Sequence, residues 1–166
     1  MRNVACATSI DLDISMNGEE ARAGLEVWGL FLRTHARLVQ RLEVEMESGE
    51  GLPLNWFDVL MQLSFAPGRR MRMHDLLPNL MLTRSGLTRR IDRMEGAGLV
   101  RREGCADDAR GVVVALTPRG HARLRQVAPL HARRIQAYFA HHLTEQDLAT
   151  MGASFRRILS ALNATP

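Results

Sequence analysis

At 166 residues the chain suits one compact domain, or one domain with dimerisation arms, and 46% hydrophobic residues can fill a core. The 24% charged residues exclude a disordered polyelectrolyte, and two cysteines, Cys6 and Cys105, exclude both a disulfide framework and a four-Cys zinc site. Net charge is +4, and all 22 basic residues are Arg.

In chain order, residues 1–18 mix small, polar and acidic side chains without periodicity and read as a mobile arm ending at the Asn17-Gly18 turn signal. Arg2 is the one basic residue before Asp11 and no apolar run precedes that position, so the start does not read as a signal peptide. No stretch approaches the ~18 apolar residues of a membrane span. The chain is therefore expected in the cytoplasm. From Glu19 to about Glu47, Leu25, Trp28, Leu32, His35, Val39, Leu42 and Met46 follow a 3-4 spacing that predicts one stripe of a long helix, ended by Ser48-Gly49-Glu50-Gly51. Asn55 is the expected N-cap of a second helix through Phe57, Leu60, Met61 and Ser64, stopped by Pro67-Gly68.

Residues 70–73 suit a short strand, and a short helix is expected from about His74 to Met81, shortened or distorted by Pro78. Thr83 is placed to cap a helix running to Gly96 or Ala97. Strands are expected at Leu99–Glu103 and Val112–Leu116, joined by a charged turn from Cys105 to Gly111. Thr117 and Pro118 mark another helix start, with Pro129 predicting a bend near its middle. Thr144 with Glu145 and Asp147 opens a last helix carrying Leu148, Met151, Phe155, Ile158 and Leu162 on one stripe.

An Arg-bearing helix, a Gly stop, a strand, a charged tip and a second strand are the order of parts in a winged helix-turn-helix. Such a helix fits a DNA major groove while the hairpin reaches an adjacent groove or the backbone. The charge agrees with this. Residues 1–66 hold 5 Arg against 10 acids, residues 67–134 hold 15 against 6, and residues 135–166 hold 2 of each. A basic middle between acidic and neutral ends is the footprint of a nucleic-acid surface; the alternative is a scattered solvated face. The absence of Lys looks like coding bias and carries little functional weight.

Three fragments in register carry a family resemblance. Asp92-Arg93-Met94-Glu95 with Gly98-Leu99-Val100 and Arg102 resembles the recognition-helix ending of the MarR family of regulators. Asp108-x-Arg110-Gly111 resembles its wing, and Leu116-Thr117-Pro118-x-Gly120 its wing-to-helix junction. The fold class is then mainly α with a small β-hairpin wing: a winged helix-turn-helix core plus long N- and C-terminal dimerisation helices. The expected segments are 1–18 (mobile arm), 19–51 (dimerisation helix), 52–117 (winged helix-turn-helix domain) and 118–166 (C-terminal helices completing the dimerisation region).

On the recognition helix, Arg84, Ser85, Thr88 and Arg89 share a face behind the Thr83 cap, while Leu87, Ile91 and Met94 face the core. The exposed set offers guanidinium forks to guanine and hydroxyls to phosphate or base edges. Arg90 and Arg93 flank it and suit phosphate; Arg93 paired with an acid is the alternative. At the wing, Arg110 suits a minor groove, and the resemblance implies that Asp108 braces it. A solvated charged hairpin is the plainer reading.

The resemblance also implies a small-molecule pocket, with Trp28, His35, Trp56, Asp58, Met61 and Phe65 as candidates, each also explicable as core or helix surface. Some relatives sense peroxide through an N-terminal Cys, but Cys6 lies earlier than that sensor's expected place, and Tyr138 is the only tyrosine. Whether Cys6 or Cys105 senses oxidants stays open. His131, His141 and His142 lack the spaced ligand set of a zinc site. No metal and no cofactor are expected. No phosphate-cradling Gly loop, nucleophile elbow or H-E-x-x-H motif is present, which speaks against an enzyme. The expected function is a homodimeric regulator, a repressor on a palindromic operator released by an aromatic or phenolic ligand. The alternatives are a winged protein-interaction module and a thiol-responsive regulator.

Overall fold

The computed structural model describes residues 19–80, 83–105 and 108–164, leaving aside the side chains of Glu20, Asn79, Arg84, Cys105, Asp108, Ala109 and Arg110. Six α-helices and three strands follow in the described chain: α1 (Glu19–Glu50), α2 (Leu54–Phe65), β1 (Arg70–Arg72), α3 (Met73–Leu76), α4 (Arg84–Gly96), β2 (Val100–Cys105), β3 (Asp108–Leu116), α5 (Pro118–Tyr138) and α6 (Glu145–Ala164). The strands make one antiparallel sheet in the order β1-β3-β2. The fold is a winged helix. The expected arm, with Cys6, lies outside the described residues.

Two compact units divide within α1: one ends at Arg37, the other begins at Leu38. In the first, α1 exposes Leu25, Trp28, Phe31 and Leu32, and Trp28 is 55% exposed. Trp28 and Phe31 stack with ring centroids 5.6 Å apart, and Phe31 and His35 at 6.1 Å. The first half of the expected stripe of α1 is thus an open aromatic and aliphatic row.

The second unit holds the core. Leu42 and Met46 of α1 join Leu54, Phe57, Leu60 and Leu63 of α2, Leu87, Ile91 and Met94 of α4, Val100 and Val114 of the sheet, and Leu124 and Val127 of α5. Each fully buried side chain of this kind stabilises the fold by about 1.5–3 kcal/mol. Polar bonds fix α5 to the end of α1. Arg134 forks onto Glu50 at 2.7 and 2.8 Å and reaches Glu45 at 3.1 Å, while the Tyr138 hydroxyl donates to Glu45 at 2.7 Å. Arg123 also donates to the Glu50 carbonyl.

Local signals set most boundaries. The Thr83 hydroxyl accepts from the Gly86 amide at 3.1 Å and Thr117 accepts from Gly120 at 2.9 Å, so both caps form. Thr144 and Asp147 make a reciprocal cap: each side chain accepts from the other's amide, at 2.9 and 3.2 Å. The end of α4 closes on Gly98, whose φ of 71° lets the Leu99 amide reach back to the Met94 carbonyl at 2.9 Å. α5 continues through Pro129.

Some expectations need correction. Asn55 does not cap α2; Pro53 precedes the helix, no side chain caps it, and Asn55 lies in its first turn. Proline at the entrance costs no hydrogen bond, so the helix starts two residues earlier than the Asn signal suggests. α1 runs to Glu50, because Gly51 with φ of 60° is the residue that leaves the helix. The helix expected from His74 to Met81 is one turn of α-helix followed by a 3-10 turn at Leu77–Asn79 built around Pro78. The strands of the wing are longer than expected, with pairing carried out to Cys105 opposite Asp108.

Candidate nucleic-acid interface

One face of α4 packs against the core through Leu87, Ile91 and Met94, each with no exposed surface. That burial fixes the rotation of the helix, so the other face must carry Ser85, Thr88, Arg89, Asp92 and Arg93, all exposed. Thr83, Ser85, Thr88 and Arg89 together line an open depression at the start of the helix. The Thr83 and Ser85 hydroxyls stand 3.3 Å apart, and Arg89 folds its Nε toward the Ser85 carbonyl at 3.4 Å. The face offers hydroxyls beside a guanidinium. This chemistry matches base edges or phosphate oxygens. Of the expected set, Thr83, Ser85, Thr88 and Arg89 are brought together; the side chain of Arg84 lies outside the described residues.

The two flanking arginines differ. Arg93 is exposed, whereas Arg90 is half-buried and turns its Nη1 toward the Asn55 carbonyl at 3.5 Å. Desolvation lowers the Arg90 pKa, and Asp58 partly offsets it. Desolvation likewise raises the Asp58 carboxyl above its usual range, with Arg90 opposing, although much of that residue stays exposed. Arg90 thus also reaches α2 at the flank of the open face.

The base of the wing carries further arginines. Arg101 pairs with Glu103 at 2.6 Å, and Arg70 approaches the same carboxylate at 3.7 Å. The expected tip residues, Asp108 and Arg110, have side chains outside the described residues.

The comparisons with known proteins agree with this geometry. A model described as MarR family matches residues 50–111. AbsC, a MarR family transcriptional regulator from Streptomyces coelicolor, superposes with a TM-score of 0.76 and is 35% identical, covering 84% of this chain and 93% of that one. The chain belongs to the MarR family. This MarR family chain is also similar to Sco3205 from the same organism, a relative solved in complex with DNA: TM-score 0.78, 30% identity, 85% and 88% coverage. The HTH-type transcriptional repressor YetL of Bacillus subtilis is 29% identical over 114 residues, 67% of this chain and 68% of that protein. The family consists of transcriptional regulators, which are not enzymes.

One residue of this MarR family protein gained no role from sequence. Arg102, on β2, binds three points of α4: Asp92 at 2.7 Å, Glu95 at 2.8 Å and the Thr88 carbonyl at 3.3 Å. Acids three apart on a helix, followed by an Arg on the next strand, are the signal that was available for it.

The six ligand candidates divide between the two units. Trp28 and His35 belong to the stacked row on α1. Trp56 and Met61 pack partly buried against the core. Trp56 lines a hollow of about 350 Å³ with Leu52, Leu99, Arg119 and Arg123, while Phe65, 80% exposed, lines a separate open hollow with Met71 and Arg72. Among the described residues, no group of three or more His, Cys, Asp or Glu is placed to hold a metal ion, and no helix is long and apolar enough to cross a membrane.

Proposed function

We propose that this chain is a cytoplasmic, homodimeric DNA-binding repressor that reads a palindromic operator and is released by a small aromatic or phenolic ligand. The observation that carries the reading is the capped α4, buried on one face and presenting Thr83, Ser85, Thr88 and Arg89 on the other. A helix held this way is a rigid reading head, and rigidity is what base discrimination requires. The DNA complex of Sco3205 and the repressor name of YetL favour the same role. Arg84 belongs to this head by its position in the sequence. Arg93 supplies phosphate contact, and Arg110, braced by Asp108, supplies the minor-groove contact of the wing.

Dimerisation is supported by the apolar faces left open. α6 has no buried residue and exposes Leu148, Phe155, Ile158, Leu159 and Leu162, while α1 exposes Leu25, Trp28 and Leu32. A second copy would cover both faces, and two-fold symmetry would then impose a palindromic site. Trp28, His35, Trp56, Asp58, Met61 and Phe65 remain the candidates for ligand contact.

Titration of random and selected duplexes across salt concentrations tests the reading. Affinity should fall steeply with salt, because each neutralised phosphate releases counterions. Salt-independent or absent duplex binding would favour a protein-interaction module instead. Release of the duplex by phenolic or aromatic acids, screened in the same assay, tests the ligand.

A further inference from the structure

Arg102 ties the wing to the reading head through side-chain and backbone bonds. Its backbone amide donates to Glu95 Oε1 at 2.7 Å and its Nη1 to Glu95 Oε2 at 2.8 Å, so a single residue holds both oxygens of that carboxylate. Its Nη2 binds Asp92 Oδ1 at 2.7 Å and the Thr88 carbonyl at 3.3 Å. The backbone of Arg102 is itself fixed, paired in the sheet opposite the fully buried Val114.

We propose that Arg102 is a positioning residue that couples β2 to α4 and so sets the base discrimination of the reading head. The proposal rests on the DNA reading of α4 given above. The three anchor points, Thr88, Asp92 and Glu95, run along one side of the helix over two turns, adjoining the exposed set. Thr88 is the telling one, since its carbonyl is held by the clamp while its side chain stands on the open face. Rotation or sliding of α4 would break the bonds to all three residues together. The clamp also pairs two carboxylates that lie on or beside the face meant for phosphate, Asp92 being exposed. A lysine would keep the charge but not the planar fork that reaches several acceptors at fixed angles.

The experiment uses the full chain with Arg102→Lys, Arg102→Ala and Glu95→Gln. Probes are a duplex selected from a randomised pool by the parent protein, and the unselected pool. Arg102→Lys is expected to bind the unselected pool as the parent does, with the same salt slope, while its preference for the selected duplex falls about tenfold. Glu95→Gln should lose preference in the same sense. Amide exchange in the free protein should quicken across residues 88–95 in Arg102→Lys and stay unchanged in α2 and α5. Equal loss on both probes, with the salt slope of Arg102→Ala reduced by about one, would make Arg102 a phosphate contact and overturn the proposal. Faster exchange throughout the core would reduce it to a general stabilising role, which also overturns it. A parent that binds no duplex overturns the DNA reading together with the proposal; a binding parent matched by Arg102→Lys overturns the proposal alone.

Discussion

A methyl group on Gly120 would stand 2.0 Å from the carbonyl oxygen of Leu99 and 2.9 Å from Leu116 Cδ1. No side chain fits there, because the obstacle is backbone rather than a flexible tip. The same Leu99 carbonyl accepts from the Thr117 amide at 3.1 Å, and the Thr117 hydroxyl donates to Gly98 at 2.7 Å. The entrance of α5 is thereby pressed onto the segment leading from α4 into the wing. Glycine is required for the closeness of that approach.

Gly120→Ala should therefore destabilise the protein by about 3 kcal/mol, the upper part of the usual range for overpacking. Urea unfolding gives the number directly. A loss near zero would mean that α5 can shift without disturbing its junction with the wing.

On the reading head, Thr88→Ala or Arg89→Ala should lose discrimination among duplexes, with about 1–3 kcal/mol at stake for a good bidentate contact. Neither residue is buried, so stability should stay within about 0.5 kcal/mol of the parent. The check is competition between selected and random duplex. If both probes lose equally, these side chains touch phosphate only.

Truncation after Leu143 should convert the proposed dimer to monomer or aggregate and abolish the proposed preference for palindromic sites. α6 contributes no buried residue to its own chain, so the core should survive its removal. Sedimentation measures the outcome. A truncated chain that still sediments as a folded dimer would contradict the assignment of α6 to the interface.

His131 gives a pH dependence. Its ring lies 4.5 Å from that of Phe57, and its Nδ1 is buried without a hydrogen-bond partner. Desolvation, with Arg134 adding to it, holds its pKa below the ordinary value of 6.5. The folded state thus binds this proton less readily than the unfolded one. Stability from the neutral ring is complete above pH 6.5 and is lost as pH falls from there through the lowered pKa. Urea midpoints taken across that interval should drop in the parent and stay flatter in His131→Leu. Equal slopes in both would assign the effect to other groups.

Much of the site was legible because its signals are local. Thr83, Thr117 and Thr144 each precede a helical pattern, and each caps a helix by bonding an amide within three residues of itself. The 3-4 spacing of Leu87, Ile91 and Met94 fixed which side of α4 is buried and so which side is open. Asn55 misled for the same reason: its cap signal is local and real, but Pro53 offered an equally cheap entrance.

By itself, then, the sequence determined the order of elements, the caps, the buried stripe of α4 and the basic middle of the chain, since each depends on residues a few positions apart. Only the tertiary structure decided which charges belong to the open face. In the sequence Arg102 looks as available as Arg89, and Arg90 as available as Arg93, yet Arg90 turns toward the Asn55 carbonyl 35 residues away and Arg102 clamps Glu95. Those choices depend on which helix and strand are packed side by side. Charge and spacing within one element cannot specify a partner that only packing brings near.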